Sequence, residues 1–217
     1  MPVQVSLGRR KDMSIRTRNP QNRKTNPRVI DGVVQKKHNH TPTSTYWNTP
    51  QSFPVVDKER PGPGHRHYLG KQHVVGFIEL LPDWAELSKG LDAVLLSAAR
   101  RRSEGWYDLG VVGICAWPKD PWCVVDASYY EDHKQVFARL GVPCETKGED
   151  YLCKFSESMV RAYQLLHIFL HELGHHHDRM TTRRQRGTGR GETYAEEYAL
   201  RHEQLIWARY ADRFGIE

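Results

Sequence analysis

The sequence predicts an α+β fold, a small mixed β-sheet packed on two or three helices, and three observations carry that prediction. Short apolar runs at 73–78, 109–117 and 122–127 have strand length and are bounded by turn formers. The stretch 156–180 places its apolar residues at helical spacing and is apolar almost all round at its centre. A second helical pattern follows over 192–213, and no internal repeat is visible.

Taken in order, the elements begin with a charge imbalance. The chain of 217 residues is 38% hydrophobic, with 32 Lys+Arg against 26 Asp+Glu, which suits one globular domain with a polar extension. Residues 1–40 hold ten Lys/Arg against only Asp12 and Asp31, so this tail is +8 and the remainder of the +6 chain is −2. The tail and its Pro-, Thr- and Asn-rich continuation hold too little apolar surface to offset their ordering entropy, so disorder is expected over residues 1–68. Its charge suits nucleic acid or another acidic partner as well as it suits solubility alone. His38-Asn39-His40 spells a nuclease motif without the flanking ββα pattern, and is read as coincidence.

Order is expected from residue 69 onward. The run 73–78 reads as a strand, followed by a helical pattern through Leu87, Leu91, Val94, Leu95 and Ala98. Two strands, 109–117 and 122–127, flank the turn Pro118-Lys119-Asp120-Pro121 and are expected to pair. A helix over 130–140 stops at Gly141, and 151–155 reads as an edge strand. Ser156 is placed to cap the long buried helix. A basic loop with Arg183, Arg184, Arg186 and Arg190 then leads to the last helix, whose Ala195, Ala199, His202 and Ile206 share one face.

Several classes are excluded at this level. No stretch approaches the roughly 18–20 consecutive apolar residues of a membrane helix, and residues 1–22 lack the apolar core of a secretory signal. A cytoplasmic location without membrane contact is therefore expected. Cys115, Cys123, Cys144 and Cys153 form no C-x-x-C pair, and their separations of 8, 21 and 9 positions match no zinc finger or ribbon. They read as buried thiols.

The chemistry lies in His171-Glu172-Leu173-Gly174-His175, a match to H-E-x-x-H. Two residues four apart on a helix project from one face on successive turns, so both imidazoles can bind one Zn²⁺, while Glu172 can reach a water without ligating the metal. Composition alone, with 12 His and 14 Glu, predicts about 0.04 such matches in a chain of this length. Two histidines and a carboxylate near the end of an apolar helix are also costly to bury unless paired or bound to a metal. One Zn²⁺ per chain is expected, with a third protein ligand and a position left open.

For that ligand Gly191-Glu192-Thr193-Tyr194-Ala195-Glu196-Glu197-Tyr198-Ala199 offers E-x-x-A twice, with Glu192 17 and Glu196 21 positions beyond His175. Over about residues 160–205 the chain resembles the gluzincin group of zinc metallopeptidases. Thermolysin-like and alanyl-aminopeptidase-like enzymes combine H-E-x-x-H with a ligand Glu on the next helix. Glu192, Ala195, Tyr198 and Ala199 also resemble the E-x-x-A-x-x-(F/Y)-A run of small peptidases that cleave phage repressors. The resemblance implies a zincin-like fold: a small mixed sheet on a buried active-site helix and a C-terminal helix. It implies His171, His175 and Glu192 as metal ligands and Glu172 as general base. Glu196 becomes the carboxylate that orients His171, or an alternative third ligand; the spacing is shorter than in thermolysin-like enzymes, and Glu196 stands where Asp is typical. Tyr194, Tyr198 and His202 are candidate donors to the transition state. A strand beside the cleft, 110–117 or its neighbour, is implied to bind extended substrate. Trp117 and Trp122 are expected to pack the core, and His167 to be a hydrogen-bonded core histidine.

Two function classes follow. One is a zinc-dependent peptidase acting on a protein or peptide with a metal-activated water and Glu172 as base. The other is a non-catalytic zincin-fold binding protein, or an SprT-like DNA-associated protease with His202 as ligand, engaging nucleic acid or an acidic partner through residues 1–40 and the Arg-rich loop.

Overall fold

A computed structural model describes residues 54–101, 103–182 and 189–215, together with the backbone of a hairpin formed by β1 (Arg28–Ile30) and β2 (Val33–Gln35). Most of the basic tail, the His38-Asn39-His40 run and Arg183, Arg184 and Arg186 lie outside the described residues.

The core is a four-stranded mixed sheet in the order β3 (Val55–Lys58), β5 (Ala93–Ser97), β7 (Val111–Cys115), β6 (Gly105–Asp108). The first three are parallel and β6 is the antiparallel edge. Every residue of β5 and β7 is buried, as expected of strands covered on both faces. A two-residue turn joins β6 to β7: Leu109 and Gly110 both take positive φ, 38° and 93°, the conformation that matches the twist of a tight hairpin. A second sheet, all antiparallel, has the order β10 (Cys144–Lys147), β11 (Asp150–Lys154), β9 (Trp122–Val125). A short ladder pairs β4 (His65–Arg66) with β8 (Trp117–Pro118).

The helices cover these sheets. They are α1 (Lys71–Ile78), α2 (Trp84–Leu87), α3 (Ala127–Arg139), and a long helix comprising α4 (Glu157–Tyr163), a π-helical stretch (Gln164–Phe169) and α5 (Leu170–Thr181). After the basic loop, α6 (Gly191–Phe214) packs along α5. Ser156 caps α4 as expected, its hydroxyl accepting from Met159 N at 3.2 Å. Asp126 caps α3 through Tyr129 N, and Gly141 ends it at φ 71°. Two aromatic groups fill the interior. Phe77 meets Phe169 and Tyr210 edge-on, and Tyr163 packs with Trp117, Phe137 and Phe155.

The α+β class therefore holds, while several elements differ from the expectation. The run 73–78 is helical, and its buried Val74, Phe77 and Ile78 follow helical spacing: burial against the π-helical stretch and α6 overrides local β-propensity. The helical pattern proposed through Ala98 instead gives α2 and the buried strand β5, because a continuous apolar run has the same appearance in either structure. Strands β7 and β9 do not pair; β9 joins β11, which is central in its sheet and not an edge. Strands also occur within 1–68, and β3 is integral to the main sheet with Val56 2% exposed, so the packed unit includes residues from 54. Cys115 and Cys153 are buried and Cys123 and Cys144 half-buried, all as free thiols. Trp117 is buried, but Trp122 is 53% exposed, against the expectation that it packs the core. Among the described residues, no helix is long and apolar enough to cross a membrane.

Candidate metal centre

Two contacts decide how α6 meets α5. Gly174 faces Ala195: a Cβ on Gly174 would lie 2.8 Å from Ala195 Cα and 3.0 Å from its carbonyl oxygen. Small residues at both positions thus bring the helix backbones together. One turn past His175, the buried Asp178 accepts from Arg190 N (2.7 Å), Gly191 N (3.2 Å) and Arg190 Nε (2.9 Å), and so holds the N-terminal end of α6.

This docking sets Glu192 over the paired histidines. Its Oε2 lies 3.1 Å from His171 Nε2 and 3.3 Å from His175 Nε2. Donor atoms of His171, His175 and Glu192 all fall within 4.8 Å of one another, so this group could hold a metal ion. Glu196, one turn along α6, instead meets the other nitrogen of His171, with Oε2 3.2 Å from Nδ1. Carboxylates thus face both nitrogens of His171. Burial pulls its pKa down, but the hydrogen bonds to Glu196 and Glu192 and the charges of Glu172 and Glu196 outweigh burial and leave it raised. A field that favours an imidazolium also favours a cation in its place. His175 has its pKa lowered, chiefly by burial, and its Nδ1 has no partner among the described residues.

Glu172 is 8% exposed and outside the three-residue group. Burial raises its pKa to about 7, with His171 opposing and Glu192 reinforcing the shift. Strand β6 forms its wall: a Cβ on Gly105 would lie 2.7 Å from Glu172 Oε1 and 2.6 Å from Ile168 Cγ2. Only a glycine lets the edge strand approach this carboxylate so closely.

The other predicted residues lie elsewhere. Tyr194, Tyr198 and His202 recur every fourth residue along one flank of α6, while Glu192 and Glu196 occupy another. Tyr194 Oη bonds His177 Nδ1 at 2.7 Å beneath the Arg190 guanidinium. Tyr198 is buried with its hydroxyl unpartnered among the described residues, and burial raises its pKa. His202 stacks on Tyr198 at 3.9 Å and donates to its carbonyl oxygen. None of the three joins the group formed by His171, His175 and Glu192. His167, in the π-helical stretch, does face the core at 2% exposure. Its Nε2 lies 3.9 Å from Glu196 Oε2, beyond hydrogen-bond reach, and its Nδ1 is unpartnered, so the expected hydrogen bond is absent among the described residues. Burial lowers its pKa to about 4.

Several groups had no signal in the sequence. His133 on α3 packs edge-on to His167 at 5.1 Å, and Tyr129 Oη bonds both Tyr163 Oη (2.6 Å) and Glu104 Oε2. These residues lie far apart in the chain and meet only when α3, α4 and β6 pack. Asp178 was visible in the sequence only as part of a His-rich run. No family model, curated protein or solved structure matches this chain.

Proposed function

We propose that this protein is a zinc-dependent peptidase of the gluzincin kind, built on a zincin-like fold. The observation that carries the reading is the meeting of His171, His175 and Glu192 from two helices, with Glu196 on the second nitrogen of His171 and Glu172 beside the cluster as a non-ligand. Two imidazoles and one carboxylate form a donor set suited to zinc with one position open. When bound, zinc supplies a Lewis acid that polarises the scissile carbonyl and makes a water acidic.

The rest of the chemistry belongs to the chain. Glu172 takes a proton from the attacking water and passes it to the leaving amine, work suited to a base poised near neutral pH. Glu196 accepts the Nδ1 proton of His171, which directs the Nε2 lone pair toward the metal position. Extended substrate lies along β6. Of the two strands expected for this role, 110–117 or its neighbour, β7 has both edges paired, whereas its neighbour β6 is the sheet edge and begins beside Glu172.

The test measures zinc per chain and peptide hydrolysis on the same samples. One zinc is expected in the wild type, none in Glu192→Ala after mild chelation, and one, more weakly held, in Glu196→Ala. Glu172→Gln is expected to keep zinc and lose hydrolysis of a peptide library. A wild type without zinc, or a fully active Glu172→Gln, overturns the reading.

A further inference from the structure

Beside Glu172 lies a second feature that the metal centre does not use. A pocket of about 740 Å³ opens between the start of β6, the end of β7, β9 and the first turn of α3. That size suits a ligand site. Its lining includes the apolar Cys115, Trp117 and Val124 and the polar Glu104 and Tyr129. Glu104, which lines the pocket, immediately precedes Gly105, the residue that abuts the Glu172 carboxylate, so consecutive residues of one segment border the pocket and Glu172.

The chemistry of Glu104 selects the occupant. Its Oε2 accepts a hydrogen bond from Tyr129 Oη, which in turn accepts from Tyr163 Oη at 2.6 Å, an arrangement that fixes the carboxylate. No donor is recorded at Oε1 among the described residues, and Glu104 lines the open volume. Burial nevertheless raises its pKa, with Tyr129, His133 and Tyr163 opposing, so the counter-charge within the protein does not offset desolvation. Arg100 also lines the pocket, but its guanidinium lies over the Trp106 ring at 4.0 Å. Apolar side chains together with a fixed carboxylate in one pocket match a methylene stem with a cationic head.

We propose that this pocket is the specificity pocket of the centre and takes an arginine or lysine side chain of the polypeptide substrate, with its cationic head at Glu104. The proposal rests on the peptidase reading for its place in catalysis, while side-chain binding can be measured without turnover.

The experiment titrates the zinc-loaded full chain with N-acetyl-arginine amide and N-acetyl-norleucine amide by calorimetry, and scans a peptide library for cleavage. Arginine amide is expected to bind about tenfold or more tightly than norleucine amide, and Glu104→Gln to abolish that difference while keeping one zinc per chain. Cleavage is expected to require Arg or Lys at one position beside the scissile bond. Equal binding of the two amides by the wild type, or no binding of either, overturns the proposal even if Glu104→Gln fails to fold. Cleavage without preference for a basic residue also overturns it. Selective arginine binding with no peptide cleaved supports the pocket and overturns only the peptidase reading.

Discussion

At the scale of single residues, the centre depends on side chains that do not touch a metal. Asp178 is the sharpest case, since it holds the N-terminal end of the helix that carries Glu192 through three hydrogen bonds. Asp178→Asn keeps the size but weakens the grip on Arg190, so zinc affinity is expected to fall about tenfold, in the range for residues that orient ligands. Chelator competition measures this, and a melting temperature of the zinc-free variant separates positioning from general stability; unchanged zinc affinity would sink the role. Gly105→Ala addresses the base instead. The added methyl would meet Glu172 Oε1 and Ile168 Cγ2, so Glu172 must shift while the ligands stay. The expected outcome is a kcat lower by about tenfold or more at unchanged zinc content, because a base must sit within hydrogen-bond reach of its proton. The two histidines of the candidate group were legible in the sequence, since His171 and His175 are coupled by helical spacing alone. Glu192 was narrowed to two candidates, and only helix packing separates them. Tyr194, Tyr198 and His202 were named for donor chemistry, while their flank of α6 faces His177 and the interior.

At the scale of elements, the centre is a crossing of two helices, and its closeness is set where Gly174 meets Ala195. Gly174→Ala in an isolated helix would be favourable by roughly 1 kcal/mol. Here the new methyl would come within 3.0 Å of Ala195 backbone atoms, so α6 must move outward. The expected result is a net loss of stability of about 1–3 kcal/mol, typical of overpacking, with weaker zinc binding as Glu192 retreats. Urea unfolding with and without zinc measures both, and a stabilised variant with full zinc affinity would contradict the crossing argument. The same contact gives a physical meaning to Ala in E-x-x-A: it is the surface against which the glycine of the first helix packs. Long helices were legible because their apolar stripes and caps agree, as at Ser156, whereas Asp126, which caps α3, was read as part of a strand. The strands were less so. β5 lacks alternation because both of its faces are buried, and α1 carries β-branched residues yet packs helically on Phe169 and Tyr210. Pairing of β9 with β11 was beyond local reading, since strand partners are chosen by the whole fold.

At the scale of the whole molecule, buried ionisable groups set a dependence of stability on pH. Burial lowers the pKa of His67, His167 and His176 from 6.5 to about 4 in each case. For His176 a bond to the Lys89 carbonyl oxygen, at 2.9 Å, works against burial without reversing it. Between pH 6.5 and 4 the unfolded chain therefore binds protons that the folded chain refuses, and by linkage stability falls as pH drops through that window. Each fully shifted histidine can account for at most about 3 kcal/mol. Glu172 acts in the opposite sense. Its carboxyl titrates near 7 in the folded protein and near 4.5 when unfolded, so its protonation favours the fold as pH drops from 7 to 4.5. Glu104, Glu203 and His171, all raised, act with Glu172, but His73, His175, His177 and His202 are lowered as well, so the shifted groups that disfavour the fold on acidification outnumber those that favour it. The zinc-free full chain is therefore expected to show a urea midpoint that declines from pH 7 to pH 4.5, and Glu172→Gln to show a steeper decline because one opposing group is gone. Glu172→Gln should also be more stable than wild type at pH 8, where the wild type carries a buried, uncompensated carboxylate. Metal-free protein is needed for the measurement, since ligating imidazoles add their own competition between zinc and protons. A midpoint that rises from pH 7 to pH 4.5 in the wild type would mean that the raised groups dominate and that the lowered histidines are not held neutral by the fold.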